Sequence, residues 1–275
     1  MKWDIFHGTR YDYASPVSDS INNVCLQPLS IPEQTVESFL LKVLPASRLT
    51  HAHDLFSNRV ARFEVSEPHS YLLVEAQTLV STHPPAPLPT AKLCPLAEML
   101  AAPNLECWHD YLQPSRFVVL SPEAWKLALD ATQGLDDAWL AVLALMDFVF
   151  GFLKYAPYST NVHTHMAEVM QARRGVCQDF AHLMIGLCRS INIPARYVSG
   201  YLATENASAT HAWVEVFLPG LGWRGLDPTH NCQAGETYVK IGTGRDYGDV
   251  PPISGNYRGT LDRKMEVDVK ITELE

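Results

Sequence analysis

Four prolines fall within the seven residues from His83 to Pro89 (HPPAPLP), and no other segment constrains the fold so strongly. Each proline removes a backbone donor and fixes φ at about −65°, so neither a helix interior nor a central strand can pass through. The segment is expected to be extended polyproline II, a stiff spacer. Residues 84–89 are therefore read as a linker between a domain at 1–83 and a second at 90–275, each with its own core. At 275 residues the chain is long enough for both.

The two sides differ in texture. Arg59 to Val65 alternates polar and apolar residues, the period of a half-buried strand. Thr35 to Leu44 and Ser70 to Ser81 are rich in Val, Leu and aromatics and predict further strands. Short runs of this kind, broken by Pro, Asn and Ser, predict a small antiparallel β domain. Beyond the linker, Ser121-Pro-Glu-Ala carries a helix start: Ser as N-cap, Pro in the first turn, Glu near the positive end of the dipole. Asp136 or Asp137 starts a longer, mostly apolar helix through about Phe152. A third begins near Cys177, with Phe180, Leu183, Met184, Leu187 and Ile191 on one face and Pro194 just past its end. Strands follow at Ala195–Tyr201, Ala212–Leu218, Gly222–Leu226 and Lys264–Ile271. Helices followed by an antiparallel sheet predict an α+β second domain.

A net charge of −9 gives neither nucleic acid nor an anionic membrane a basic face to bind. The N-terminus, MKWDIFHGTRYDY, lacks the apolar run of a signal peptide, and Trp139–Leu153 is interrupted by Asp147 and too short to span a bilayer. The six cysteines, at 25, 94, 107, 177, 188 and 232, show no C-x-x-C and no regular spacing. The expectation is a reduced, cytoplasmic protein with mostly free thiols.

Three segments concentrate reactive side chains: Arg174-Gly-Val-Cys-Gln-Asp-Phe-Ala-His182, Thr210-His-Ala-Trp-Val-Glu215 and Gly222-Trp-Arg-Gly-Leu-Asp-Pro-Thr229. In the first, Cys177 opens a helix, where unpaired N–H groups favour a thiolate and can hold the oxyanion of an acyl-transfer intermediate. Gly175 allows close approach of the backbone. His211 starts one strand and Asp227 ends the next. A hairpin between them would set the carboxylate beside the ring, fix its tautomer and support the imidazolium. Taken singly, each residue has a structural reading: a small buried cysteine, a surface histidine, an Asp-Pro turn. Gln178 is placed near the substrate, and Trp213 and Tyr155 are candidate linings of an acyl-binding groove. Asp179 and His182, three apart on the helix, can touch and brace the site. The pairs His51/His53 and His163/His165 could each seed a metal site but have no third ligand nearby in sequence. Cys188 shares a helical face with Cys177 but lies too far along it for a disulfide.

The runs GVCQDFAH, HAWVEV and GWRGLDPT resemble the core of the bacterial transglutaminase-like family over roughly Tyr155 to Asn231, and Gly244–Pro252 resembles the family's following segment. Residues 1–83 resemble the β domain that often precedes this core. There the family's pattern has Gly-Asn after an Asp, whereas this chain has Asp54-Leu-Phe-Ser-Asn58. The resemblance implies a papain-like transglutaminase-core domain behind an antiparallel β domain, with Cys177 as nucleophile, His211 as base and Asp227 as acid. It also implies acyl transfer at an amide bond of a protein or peptide through a thioester, passed to water or to an amine acceptor. A binding module with a dead site would not need all three positions filled by competent residues. This chemistry requires neither a metal nor an organic cofactor.

Overall fold

The computed structural model describes residues 1–87, 94–101, 105–203 and 210–274. The first β structure is built on one long strand, β1 (Lys2–Val24), followed by β2 (Gln34–Leu44), β3 (Thr50–His53), β4 (Arg59–Val65) and β5 (His69–Thr82). Residues 2–12 of β1 pair antiparallel with β5, which carries β2 on its far side. The register then breaks between Asp12 and Val17, across Ser15-Pro16, and residues 20–24 pair with β4, which carries β3. The alternation in β4 buries Ala61, Phe63 and Val65 and exposes Arg62 and Glu64, as a period of two requires.

The second half opens with α1 (Leu105–Trp108), α2 (Pro122–Ala131) and α3 (Ala138–Phe152). Ser121 Oγ caps α2 by accepting from the Ala124 N–H at 3.2 Å, and Asp137 Oδ1 caps α3 by accepting from Trp139 and Leu140 at 3.0 and 3.1 Å. Then come β6 (Lys154–Tyr155), α4 (Met166–Ala172), β7 (Arg174–Gly175) and α5 (Cys177–Ser190). The apolar face expected for α5 is real, but the helix is also buried on its other sides. It packs against an antiparallel sheet formed by β8 (Ala195–Leu202), β9 (His211–Leu218), β10 (Gly222–Asp227), β11 (Cys232–Gln233) and β12 (Tyr238–Gly244), in the order β11-β10-β9-β8-β12. Val214 and Val216 of β9 are fully buried on the side facing α5.

The last two strands correct the expected domain boundary. β13 (Ile253–Arg258) and β14 (Arg263–Leu274) return to the first sheet and pair with the two halves of β1. Residues 90–275 are therefore not one unit: the helical and second-sheet segment is inserted between β5 and β13. Alternation identifies Lys264–Ile271 as a strand, but the same alternation serves against any neighbour. Nor are the cores separate, because buried apolar residues from Trp3 to Val269 form one connected cluster. Residues 84–87 are irregular, and the rest of the predicted linker lies outside the described residues.

Two buried amides join the sheets. Gln34 Nε2 donates to Lys240 O at 2.7 Å while its Oε1 accepts from Lys240 N at 2.8 Å. Asn58 Nδ2 donates to Thr243 O, and its Oδ1 accepts from Thr243 N, both at 2.7 Å. β12 is the edge of the second sheet, so these side chains occupy the place of the peptide groups of a further strand.

Candidate active site

Cys177 is the first residue of α5 and is half-buried. The N–H of Val176, the residue before it, donates to Asp179 Oδ2 at 2.7 Å, and Thr160 Oγ1 donates to the same oxygen at 2.6 Å. A third-position carboxylate reaching back in this way fixes the start of the helix and leaves the N–H groups of Cys177 and Gln178 without intrahelical partners. Burial pushes the Asp179 carboxyl up. A Cβ on Gly175 would meet the Asp179 side chain at 2.5 Å, so glycine is required there for the close approach of the cap. Asp179 and His182 do not brace one another as the helix spacing suggested. His182 Nε2 instead accepts from the Tyr247 N–H at 3.2 Å and the ring stacks on Phe117; burial pushes its pKa down to about 4.

The β9–β10 hairpin, with Val214 opposite Leu226, carries Asp227 to the start of β9. His211 Nε2 donates to Asp227 Oδ2 at 2.7 Å. Asp227 is fully buried and also accepts from His230 Nδ1 at 2.8 Å, Tyr238 Oη at 2.9 Å and the Thr229 N–H at 2.8 Å. Burial alone would raise this carboxyl, but the hydrogen bonds and charge of His211, with the bonds from His230 and Tyr238, hold it well below the usual carboxylate range. Burial likewise opposes a charged His211. It is outweighed by the hydrogen bonds and charge interactions with Asp227 and Cys177, which raise the imidazole to about 9. With Nε2 on the carboxylate, Nδ1 is the ring nitrogen left for the thiol. The structure thus brings Cys177, His211 and Asp227 together, with the carboxylate on Nε2 of the ring and the thiol interacting with the same imidazole.

The other candidates separate. Tyr155 is half-exposed and lies beside Gly175, two residues before Cys177, across the short β6–β7 ladder. Gln178 is nearly buried and its Nε2 donates to Val162 O at 3.4 Å. Trp213, proposed as a groove wall, is only 2% exposed and stacks beneath His211 with ring centroids 6.3 Å apart. It underlies the histidine and also borders a cavity of about 320 Å³ on the sheet face away from α5, whose walls do not include Cys177. His51 and His53 are exposed on β3, and His165 heads α4 against Phe117. Neither pair gathers further ligands. Among the described residues, three ligand-type atoms converge only at His211, Asp227 and His230, where direct hydrogen bonds already link them. All six cysteines are unpaired, and burial pushes Cys25 and Cys188 up to about 12.

His230 and Tyr238 were not anticipated. Asp227-Pro-Thr-His230 is a turn that returns residue i+3 to residue i, a signal available in the sequence. Tyr238 arrives from β12 across a turn, and nothing local announces it.

A profile of the transglutaminase-like superfamily matches residues 126–228, a span containing Cys177, His211 and Asp227. A profile of the bacterial transglutaminase-like N-terminal region matches residues 3–81. The chain is 31% identical over 278 residues to an uncharacterized protein of Mycobacterium leprae, covering 98% of both. Over 106 residues, 33% of this chain and 16% of the relative, it is 31% identical to a protein-glutamine gamma-glutamyltransferase of Pseudomonas aeruginosa. Among solved structures, a candidate cysteine protease from Cytophaga hutchinsonii superposes with a TM-score of 0.78 at 26% identity, over 100% of this chain and 92% of that one.

Proposed function

This chain belongs to the bacterial transglutaminase-like family, and from that premise we propose that it is an enzyme that transfers acyl groups from amide bonds through a thioester on Cys177. The observation that carries this reading is the His211–Asp227 bond of 2.7 Å, with Cys177, at a helix start, interacting with the same ring. The Cys177 thiolate attacks the amide carbonyl carbon, and the oxyanion faces the free N–H groups at the start of α5. As the tetrahedral intermediate collapses, the C–N bond breaks and the His211 imidazolium gives its proton to the leaving amine. A thioester remains. Water or a second amine then loses a proton to His211, attacks the thioester and releases the Cys177 sulfur. Asp227 keeps the ring oriented throughout and stabilises its charged form.

Both acceptors fit this cycle. The similarity to a gamma-glutamyltransferase and to a candidate cysteine protease supports one each. The substrate class is a protein or peptide amide entering past Tyr155.

The test is turnover of an activated acyl ester, together with incorporation of a labelled primary amine into a glutamine peptide read by mass. Cys177→Ala is expected to reduce both to background. His211→Ala is expected to lose about 10²–10⁴-fold. A folded Cys177→Ala protein with wild-type turnover would overturn the proposal.

A further inference from the structure

β14 is the outer strand of the first sheet. It pairs with β1 from Tyr13↔Arg263 to Lys2↔Leu274 without a register break, and among the described residues no other strand borders it. Its twelve residues, RKMEVDVKITEL, contain neither proline nor glycine. Nearly all are exposed, including Met265 at 57% and Val267 at 46%, whereas Val269 is buried. A long, unbulged edge of this kind offers a row of unpaired N–H and C=O groups to another strand.

Charges on an edge ordinarily keep strands apart. The arrangement on β14 does the opposite for one partner. We infer that β14 pairs antiparallel with the β14 of a second copy of this chain, about a twofold axis at Asp268. In that register Glu266 faces Lys270 twice and Arg263 faces Glu273 twice. Met265 lies opposite Ile271 and Val267 opposite Val269, so the apolar faces of the two sheets run on into each other. One like-charged contact remains, Asp268 with itself. A shift that centres the pair on Val267 would set Lys264 against Lys270 and Glu266 against Asp268, which is repulsive throughout. An odd shift would join the apolar face of one sheet to the polar face of the other. The ion pairs that Lys264–Glu266 and Lys270–Asp268 now form along the strand are exposed, so exchanging them for pairs across the axis costs little.

The test is sedimentation equilibrium on the full chain, with fold checked by circular dichroism. The wild type is expected to dimerise below about 100 µM. Glu266→Lys, and separately Lys270→Glu, turns two attractive cross-strand pairs into repulsive ones and is expected to weaken the dimer about tenfold or more. The double variant E266K/K270E restores opposite pairing and is expected to restore the dimer. A wild type that stays monomeric would overturn the inference. So would a dimer indifferent to E266K, as pairing centred on Val269 predicts by placing Glu266 opposite Thr272, or a double variant that does not recover.

Discussion

With Asp227 buried and accepting from His211 at 2.7 Å, the imidazolium persists to about pH 9 rather than giving way near the ordinary value of 6.5. A raised folded-state pKa contributes stability that is complete below the unfolded value and lost as pH rises through about 9. In the proposed cycle this proton is the one delivered to the leaving amine, so kcat/KM is expected to fall along an alkaline limb near pH 9. Asp227→Asn removes the charge that supports the imidazolium and should move that limb to lower pH; a pH–rate profile of both proteins reads the shift. An unmoved limb would assign it to another group. That Cys177, His211 and Asp227 would meet was legible because each sits where an element begins or ends. The burial of Trp213 was not legible: a period of two puts it on the face of His211 but does not say that this face is covered.

Among the elements, the turn from Asp54 to Asn58 is a local departure from the family's pattern in the sequence, yet it reaches across the molecule. Asp54 Oδ1 accepts from the N–H groups of Phe56 and Asn58, and Asp54 Oδ2 accepts from Asn58 Nδ2, which aims that amide at β12. Ser57, where the family has glycine, is held at φ 65°. A side chain in the left-handed region costs about 1–2 kcal/mol, partly offset by the greater freedom of glycine in the unfolded chain. Ser57→Gly is therefore expected to stabilise the protein by about 0.5–1 kcal/mol, seen as a rise in Tm, and an equal or lower Tm would show the turn to be unstrained. The helices α2, α3 and α5 were legible from caps and apolar spacing. α4 was not, being seven residues long behind a histidine, and β12, YVKIGTG, lacks the clean alternation that marked β4.

At the scale of the molecule, the proline run suggested two bodies and the amide clamps make one. Gln34 and Asn58 are almost wholly buried; truncating Asn58 leaves the N–H and C=O of Thr243 without these partners, and truncating Gln34 leaves the Lys240 N–H without its acceptor while the Lys240 C=O keeps the Leu29 N–H at 3.3 Å. Gln34→Ala and Asn58→Ala are each expected to cost about 1–3 kcal/mol. In the wild type, tryptophan fluorescence and far-UV circular dichroism should give one coincident urea transition; in the double variant the two probes should separate if the clamps couple the sheets. Coincident curves in the double variant would assign the coupling to the shared apolar core instead. No pattern along the sequence could reveal these clamps, since each amide meets a residue about two hundred positions away.

The pairing of Lys2 with Leu274 also dictates an order of events at the ribosome. At synthesis rates of about 5–20 residues per second, the first strand waits roughly 15–50 s for its last neighbour. The helix bearing Cys177 and the sheet bearing His211 and Asp227 emerge during that wait. A chain stalled before Arg263 would thus possess every reactive group while leaving the bare edge of β1 open to its neighbours on the same message. Closing that edge falls to β14, which holds none of Cys177, His211 and Asp227.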